Sequence, residues 1–329
     1  MWPIEKPKPI GGSCLKKGQI VKLTGGLYSI LDAETKELLQ ARASGILRHQ
    51  KLDENSSFNK QLTKRTKLDI KTVQISPKVG DFVLYDDTDI NHSIKTVLER
   101  QNELTRPDVA NVDQVLILTS VKNPNFSFNL LDQFLILIEQ AHIKPVLIVS
   151  KIDLIAETEL ASLKDTLTYY EKIGYDVHYV NSKQKIGFDT LEDLFTDKLS
   201  VLAGQTGAGK STFLNALMPE LGIKTQEISM ALGRGKHTTR HTELYFYGGG
   251  MIADTPGFSK LELSILDPNE LKDYFVEFKH YESACKFGTS CSHTHEPECA
   301  IKDNPNILLT RYQNYIKYYE EIKNKKERY

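Results

Sequence analysis

The sequence predicts a multidomain protein that consists of a small β-barrel, an α/β domain and a C-terminal helical module. Three successive patterns along its 329 residues support this fold class. Short β-prone runs alternate with turn residues from 18 to about 99, and strand-like and helix-like stretches alternate from about 106 to 263. The pattern from 267 onward is helical and is interrupted by a cysteine cluster. We expect a flexible extension at 1–13, the barrel at 14–102, the α/β domain at 103–264 and the module at 265–329.

Overall charge does not indicate a partner. Lys and Arg number 42 and Asp and Glu 43, which gives a formal net charge of -1 and leaves only local basic surface for binding nucleic acid. No apolar stretch approaches the length of a membrane span, and the N-terminal residues lack a signal pattern. We therefore expect a cytoplasmic monomer without membrane contact.

The barrel is predicted from short β-prone runs at 19–23, 27–31 and 82–85, of which the first two are separated by a Gly-Gly turn. A polar segment at 55–71 lies between the second and third runs. Its basic residues are Lys60, Lys64, Arg65, Lys67 and Lys71. Such a loop could contact RNA phosphates, and a solvated surface loop is an equally good interpretation.

The α/β domain is predicted from apolar runs alternating with helical periodicity. The strand candidates are 112–118, 145–149, 199–203 and 251–253, and the helix candidates are 130–141, 157–173 and 211–218. This alternation is typical of a mainly parallel sheet with crossover helices.

A phosphate-binding pattern, GxxxxGK[ST], occurs between the strand candidate at 199–203 and the helix candidate at 211–218. Backbone N–H groups at such a strand-to-helix turn converge on an anion. Lys210 would reach the terminal phosphates and the Ser211 hydroxyl would hold Mg²⁺. The candidate nucleotide-binding residues are Gly204, Gln205, Thr206, Gly207, Ala208, Gly209, Lys210, Ser211 and Thr212.

A second nucleotide element, DTPG, follows at 254–257. Asp254 would contact Mg²⁺ through water, and Gly257 would offer a backbone N–H to the γ-phosphate. A glycine-flanked loop at 233–241 lies between the two elements, where Thr238 or Thr239 would complete the Mg²⁺ shell; an ordinary basic loop is the alternative.

A candidate base-binding element, SKID, follows the strand candidate at 145–149. It resembles the [NT]KxD element of GTPases and comprises Ser150, Lys151, Ile152 and Asp153. Asp153 would accept hydrogen bonds from guanine N1–H and the 2-amino group, whereas in an ATPase it would make no hydrogen bond to the base. Ser150 departs from the usual Asn or Thr and has a shorter reach than Asn. The segment 180–183 occupies the place of a second guanine-contacting loop but fits that pattern loosely.

The order of these elements is unusual because the base element comes first and DTPG comes last. In ordinary small GTPases the base element follows the phosphate loop, the Thr loop and the DxxG element. The sequence therefore resembles a circularly permuted GTPase.

The cysteine cluster has the composition of a metal site. Cys285, Cys291, His293 and Cys299 supply the three thiolates and one imidazole of a closed structural Zn²⁺ site. His295 is a competing nitrogen ligand, but His293 keeps the Cys-x-His spacing. Disulfide pairing within the cluster would leave one cysteine unpaired.

A barrel, a permuted GTPase domain and a zinc module, with SKID, GQTGAGKS, DTPG and CKFGTSCSHTHEPEC in that order, closely resemble the ribosome small subunit-dependent GTPase A (RsgA) family. The resemblance implies an OB-fold barrel, ribosome-stimulated GTP hydrolysis with Mg²⁺, and a role in late maturation of the small subunit through contact with its 16S rRNA. The alternative is an RNA-binding assembly factor with a weak or vestigial nucleotide site.

The residue that would position the attacking water is not obvious. Many GTPases place a Gln directly after the DxxG element, but Phe258 stands here and an apolar side chain cannot orient water. We predict slow intrinsic turnover, with the missing group supplied by His237, by His241 or by the ribosome. Either histidine could equally be an RNA contact.

Overall fold

The structure is a computed structural model, in which the chain forms two compact units. The structure describes residues 15–45, 47, 50–51, 72–73, 75–105, 107–221, 242–254, 263 and 266–326. The first unit contains the described residues of Met1–Val112, Gly235–Phe246 and Met251–Thr255. The second contains those of Asp113–Arg234, Tyr247–Gly250 and Pro256–Tyr329.

The strands of the N-terminal region are short and mostly antiparallel. They are β1 (Leu15–Thr24), β2 (Leu27–Asp32), β3 (Leu38–Arg42), β4 (Gln50–Lys51), β5 (Thr72–Val73), β6 (Phe82–Asp86), β7 (Ile94–Val97), β8 (Glu103–Thr105) and β9 (Asp108–Ala110). Strand β1 pairs with β2 on one side and with β6 on the other, while β2 pairs with β3 and β6 with β7. A parallel bridge from Ala43, just after β3, to Ile94 in β7 closes the ring.

This pairing order confirms the OB-fold. The five barrel strands, in chain order, are β1, β2, β3, β6 and β7. The third (β3) meets the fifth (β7) in parallel, and the fourth (β6) pairs with the first (β1), as in a five-stranded Greek-key barrel. The burial of alternate residues in β2, including Tyr28 and Ile30, follows from the period of two along a strand with one face on a core. A bulge between Ile20 and Lys22 bends β1 so that its end pairs with a later strand, at Glu243.

The second unit contains a parallel sheet. Its strands are β10 (Gln114–Ser120), β11 (Lys144–Ser150), β12 (Asp176–Val180) and β13 (Leu199–Ala203), in the spatial order β12-β11-β10-β13. Every residue of β10 and β13 is buried, as expected for strands covered on both faces. Two further strands of the chain, β14 (Glu243–Tyr247) and β15 (Gly250–Asp254), are joined by a two-glycine turn.

Three predicted helices form with small shifts of their ends. They are α1 (Phe128–Gln140), α2 (Glu157–Lys172) and α3 (Lys210–Leu217). Helix α1 begins where Ser127 accepts a hydrogen bond from the Leu130 amide at 3.2 Å, a side-chain N-cap. The apolar face of α1 covers β10 and β11.

The cysteine-containing module is less helical than its pattern suggests. Among its described residues, a single α-helix, α4 (Leu309–Lys326), follows four 3-10 segments. These segments are Leu271–Tyr274, Val276–His280, Glu282–Ala284 and Gly288–Ser290. The core of the module includes Ile136 of α1, so its apolar residues pack directly on the α/β region. The domain boundaries 102/103 and 264/265 remain predictions.

The tyrosines of α4 form a packing face. Tyr315 and Tyr318 are fully buried, and each hydroxyl donates to a backbone carbonyl, of Ser292 and of Asn129. Within the ranges that the structure describes, no helix has the length and apolar character needed to cross a bilayer.

Candidate functional site

The phosphate loop lies at the end of β13, where it turns into α3. Gly204 has a φ of +134°, and a Cβ at this position would lie 2.2 Å from the carbonyl oxygen of Leu118 in β10. Gly209 caps α3 with a φ of +99°. These two positions therefore need glycine, the first because a neighbouring strand leaves no room and the second because its backbone is left-handed. The loop therefore passes directly into the N-terminus of α3, where backbone amides without helical partners favour an anion.

Lys210 folds back over the loop that carries it. Its Nζ donates to the carbonyl oxygens of Gly204 at 2.6 Å and Gln205 at 2.9 Å. Burial lowers the pKa of Lys210 to about 8. The ammonium is thus held beside the loop by neutral carbonyls, and a phosphate would supply the negative charge that favours its protonated form.

This lowered pKa predicts a pH dependence of nucleotide binding. Below a pH of about 8 Lys210 is already protonated and affinity should be constant. Above it the free protein loses the proton that the phosphate complex retains, so GDP affinity should fall by up to about tenfold per pH unit. Titration of labelled GDP over about pH 7 to 9.5 measures the slope.

The control is Lys210→Arg, whose guanidinium stays charged over this range. The affinity of this variant for GDP should be lower but much less dependent on pH. Titration of the nucleotide itself is common to both proteins, so the difference between their slopes reports on Lys210. Equal slopes for the two proteins would show that Lys210 does not titrate in this range.

The base element lies directly against the phosphate loop. Ser150, the last residue of β11, is 2% exposed, and its hydroxyl donates to the Ala208 carbonyl at 2.7 Å. Lys151 has a left-handed backbone, and its Nζ donates to the carbonyls of Gly207, at 2.7 Å, and Asn123. Two elements more than fifty residues apart in sequence are therefore joined by hydrogen bonds. The Ser150 side chain reaches the loop although it is shorter than the usual Asn.

Asp153 is exposed on the 3-10 turn Ile152–Leu154 that follows β11. The segment predicted as a second guanine-contacting loop begins at the end of β12, the strand next to β11. There the Asn181 side chain accepts the amides of Lys183, at 3.0 Å, and Gln184, at 3.3 Å. This side-chain turn gives the segment a defined shape on the same edge of the sheet as the base element.

Several predicted site residues lie outside the described residues. They are Thr238, Thr239, His237, His241 and Gly257, together with the basic loop at 55–71, Phe258 and the extension at 1–13. Asp254 is the last residue of β15, and Ser211 and Thr212 lie in the first turn of α3. The roles of all these residues remain predictions.

The predicted zinc ligands come together. One ligand atom from each of Cys285, Cys291, His293 and Cys299 lies within 4.8 Å of the others. His293 Nδ1 is 3.6 Å from the sulfurs of both Cys285 and Cys299. Burial lowers the pKa of His293 to about 4, so its imidazole is neutral at physiological pH.

Amide groups support two of these sulfurs. The Ala300 amide donates to Cys285 Sγ at 3.2 Å, and the Lys302 amide lies 3.5 Å from Cys299 Sγ. Such N–H groups favour thiolates, and three sulfurs with one nitrogen are the donor set that Zn²⁺ prefers. The residues therefore fit a structural zinc ion. The competing His295 is exposed and bonds Thr294 at 2.8 Å through its Nδ1.

Comparison with known proteins agrees with this geometry. The family model described as RsgA GTPase matches residues 97–264. Over 313 residues the chain is 44% identical to the small ribosomal subunit biogenesis GTPase RsgA of Onion yellows phytoplasma (strain OY-M), with coverage of 94% of this chain and 99% of that protein. The chain belongs to the RsgA GTPase family. A second RsgA protein of that name, from Bacillus pumilus (strain SAFR-032), is 41% identical over 96% of this chain and 100% of its own length.

Two solved structures have a similar fold. The crystal structure of YloQ, a circularly permuted GTPase, matches with a TM-score of 0.77 at 33% identity and covers 97% of this chain and 99% of that one. YjeQ from Thermotoga maritima matches with a TM-score of 0.75 at 32% identity, over 94% and 99% of the two chains. The predicted circular permutation is confirmed, and as an RsgA GTPase the chain is an enzyme that hydrolyses GTP.

A buried cluster joins the cysteine module to the α/β region, and the sequence motifs did not reveal it. Arg311 of α4 is 1% exposed and bonds Asp132 of α1, at 2.7 Å, and Glu277, at 2.5 Å. Burial disfavours its charge, but the carboxylates of Glu277 and Asp132 outweigh this and hold the pKa of Arg311 well above its ordinary value. The available signal was a charged residue within the tyrosine-rich packing face of α4, which predicts a buried partner of opposite charge.

Proposed function

We propose that this RsgA-family GTPase binds the small ribosomal subunit, hydrolyses GTP in response to it and acts late in the maturation of that subunit. The observation that carries the proposal is the nearly full-length similarity to proteins named for small-subunit biogenesis. The phosphate loop and the base element, which are joined by hydrogen bonds, are the nucleotide-binding elements that such a role needs. The protein would act in the cytoplasm as a monomer and contact 16S rRNA.

The phosphates and Mg²⁺ would be held by three segments: the phosphate loop with the start of α3, the DTPG element and the Thr loop. The first amides of α3 and Lys210 would bind the β- and γ-phosphates, and the Ser211 hydroxyl would ligate Mg²⁺. Asp254 would contact the ion through water, and the Gly257 amide would sense the γ-phosphate. Thr238 or Thr239 would complete the ion's shell.

Guanine would be selected by Asp153, whose carboxylate accepts two hydrogen bonds that adenine does not offer. Its exposure on the turn after β11 leaves it accessible to a base. Ser150 would act indirectly, because its hydrogen bond to the Ala208 carbonyl keeps the base element at a fixed distance from the phosphate loop. We expect GDP to compete with bound nucleotide and ADP not to compete.

Hydrolysis would need a group that orients the attacking water. His237 and His241 are the candidates in this chain, and a residue or phosphate of the ribosome is the other source. If a histidine acts, its change to Ala should remove most of the subunit-stimulated rate. Unchanged stimulated rates in both variants would leave the ribosome as the source.

A structural Zn²⁺ would be held by the three cysteines and His293. The ion neutralises the thiolates and adds folding free energy to a module that has few regular elements. With four protein ligands it leaves no open coordination position. Its role is therefore to shape the module and not to take part in GTP hydrolysis.

GTP turnover with and without purified small subunits tests the proposal. We expect slow turnover alone and stimulation by at least about tenfold with small subunits, because a missing catalytic group is supplied in trans. Purified large subunits are the control and should not stimulate. Equal turnover in all three conditions, with subunit binding retained, would instead support the RNA-binding assembly factor with a vestigial nucleotide site.

A further inference from the structure

The turn that carries His293 is shaped by a carboxylate outside the ligand set. We propose that Glu296 is a positioning residue of the metal centre, which holds this turn so that His293 presents Nδ1, and not Nε2, to the three cysteine sulfurs. The inference rests on the zinc site proposed above and adds to it a defined ligand atom and a residue that selects this atom.

The carboxylate of Glu296 binds three amides on the two sides of His293. Oε1 accepts the Ser292 amide at 2.8 Å, and Oε2 accepts the amides of Thr294 at 3.1 Å and His295 at 3.3 Å. A single side chain thus fixes the N–H groups that flank the ligand, in the manner of a capping carboxylate.

The carbonyl groups of the same turn are held by α4. Tyr312 donates to the His293 carbonyl at 3.0 Å, and Tyr315 donates to the Ser292 carbonyl. Between these restraints the His293 backbone has a φ of +58°. A non-glycine residue in this left-handed region is held there by its surroundings. These restraints hold the backbone from which the imidazole is directed toward the sulfurs.

The ring orientation identifies the ligand atom. Nδ1 lies 3.6 Å from the sulfurs of Cys285 and Cys299, whereas Nε2 is buried and has no hydrogen-bond partner among the described residues. The imidazole is also packed edge-on against Phe278, with ring centroids 5.6 Å apart. A flip of the ring would turn Nδ1 away from the sulfurs. Nδ1 is therefore the metal ligand, and Nε2 carries the proton.

Cadmium substitution identifies the ligand atom directly in the full-length protein. With ¹⁵N-labelled histidine and ¹¹³Cd²⁺ in place of zinc, we expect one-bond cadmium coupling to Nδ1 of His293. Coupling to Nε2 would overturn the inference, as would coupling only to His295. A protein that retains no zinc or cadmium would overturn the metal site of the proposed function together with this inference.

The role of Glu296 is tested with Glu296→Gln, which keeps one carbonyl acceptor but replaces the other oxygen by a donor. We expect zinc affinity, measured by competition with a chelator, to fall by about 10- to 100-fold, because groups that orient metal ligands have effects of this size. The matched control is Glu298→Gln on the same loop, which loses only an exposed ion pair with Lys286 and should change affinity by less than about twofold.

Co²⁺ spectra distinguish a role of Glu296 in positioning His293 from a general loss of protein stability. The Co²⁺ form of Glu296→Gln should show altered ligand-field bands, whereas Glu298→Gln should match the unmodified protein. Equal zinc affinities and identical Co²⁺ spectra for all three proteins would overturn the role of Glu296 even if Nδ1 is the ligand. If Glu296→Gln fails to fold, the cadmium coupling in the unmodified protein still decides the ligand atom.

Discussion

Lys210→Ala is expected to reduce subunit-stimulated GTP hydrolysis by a factor on the order of 10² to 10³, the effect of removing one preorganised donor from developing charge. The side chain already lies over the phosphate loop, bonded to the carbonyls of Gly204 and Gln205. A bound phosphate therefore meets an ammonium that needs little reorganisation. The measurement is kcat/KM for GTP in the presence of purified small subunits.

The matched control for this prediction is Lys172→Ala, an exposed lysine at the end of α2. It should leave kcat/KM unchanged, since it lies on a different element from the site. Nucleotide affinity should be measured for both variants, so that lost binding is distinguished from lost catalysis. A Lys210→Ala protein with full stimulated activity would contradict the assignment of the phosphate loop.

Arg311→Met is expected to lower the free energy of unfolding by about 3–5 kcal/mol, because it leaves two carboxylates buried without their cation. Asp132 is 0% exposed and Glu277 2% exposed, so water cannot replace the guanidinium at low cost. Arg311 also lies 4.8 Å from the ring centroid of Phe275. The loss should be visible as a lower urea midpoint and as faster amide exchange in α4.

The control for Arg311→Met is Lys323→Met, an exposed position of the same helix, which should change stability by less than about 0.5 kcal/mol. Arg311→Lys provides a second comparison. A single ammonium cannot reproduce the two-pronged contact with Glu277 and still reach Asp132, so this variant should also be destabilised. A loss of unfolding free energy below about 1 kcal/mol for both Arg311 variants would mean that the charge of the buried carboxylates is neutralised without the guanidinium.

The nucleotide and metal sites could be identified from sequence because their chemistry is local. A phosphate loop needs glycines and a lysine at fixed spacing, and three cysteines with one histidine carry their ligand chemistry in their identities. The helix ends were less predictable. In the cysteine module the helical pattern produced short 3-10 segments from 271 to 290. Only the last of them, Gly288–Ser290, lies between two metal ligands, Cys285 and Cys291, where the connection is too short for a regular α-helix.

The contacts between distant segments could not be read from the sequence. The bond from Ser150 to the Ala208 carbonyl depends on where β11 and β13 end relative to each other in the sheet, and strand order is a property of the folded chain. The same is true of the partners of Arg311, which lie 34 residues away, at Glu277, and 179 residues away, at Asp132. Motif spacing contains no information on such pairs.

The sequence by itself determined the class of chemistry: a phosphate loop, a guanine-type base element placed before it, and a three-cysteine, one-histidine metal set. Only the tertiary structure decided how these elements are joined, which His293 nitrogen faces the sulfurs and which buried charges hold the cysteine module on α1. The physical reason is that covalent spacing defines what a motif can bind. Long-range hydrogen bonds and buried ion pairs form only when packing brings their partners within about 3 Å and removes water from between them.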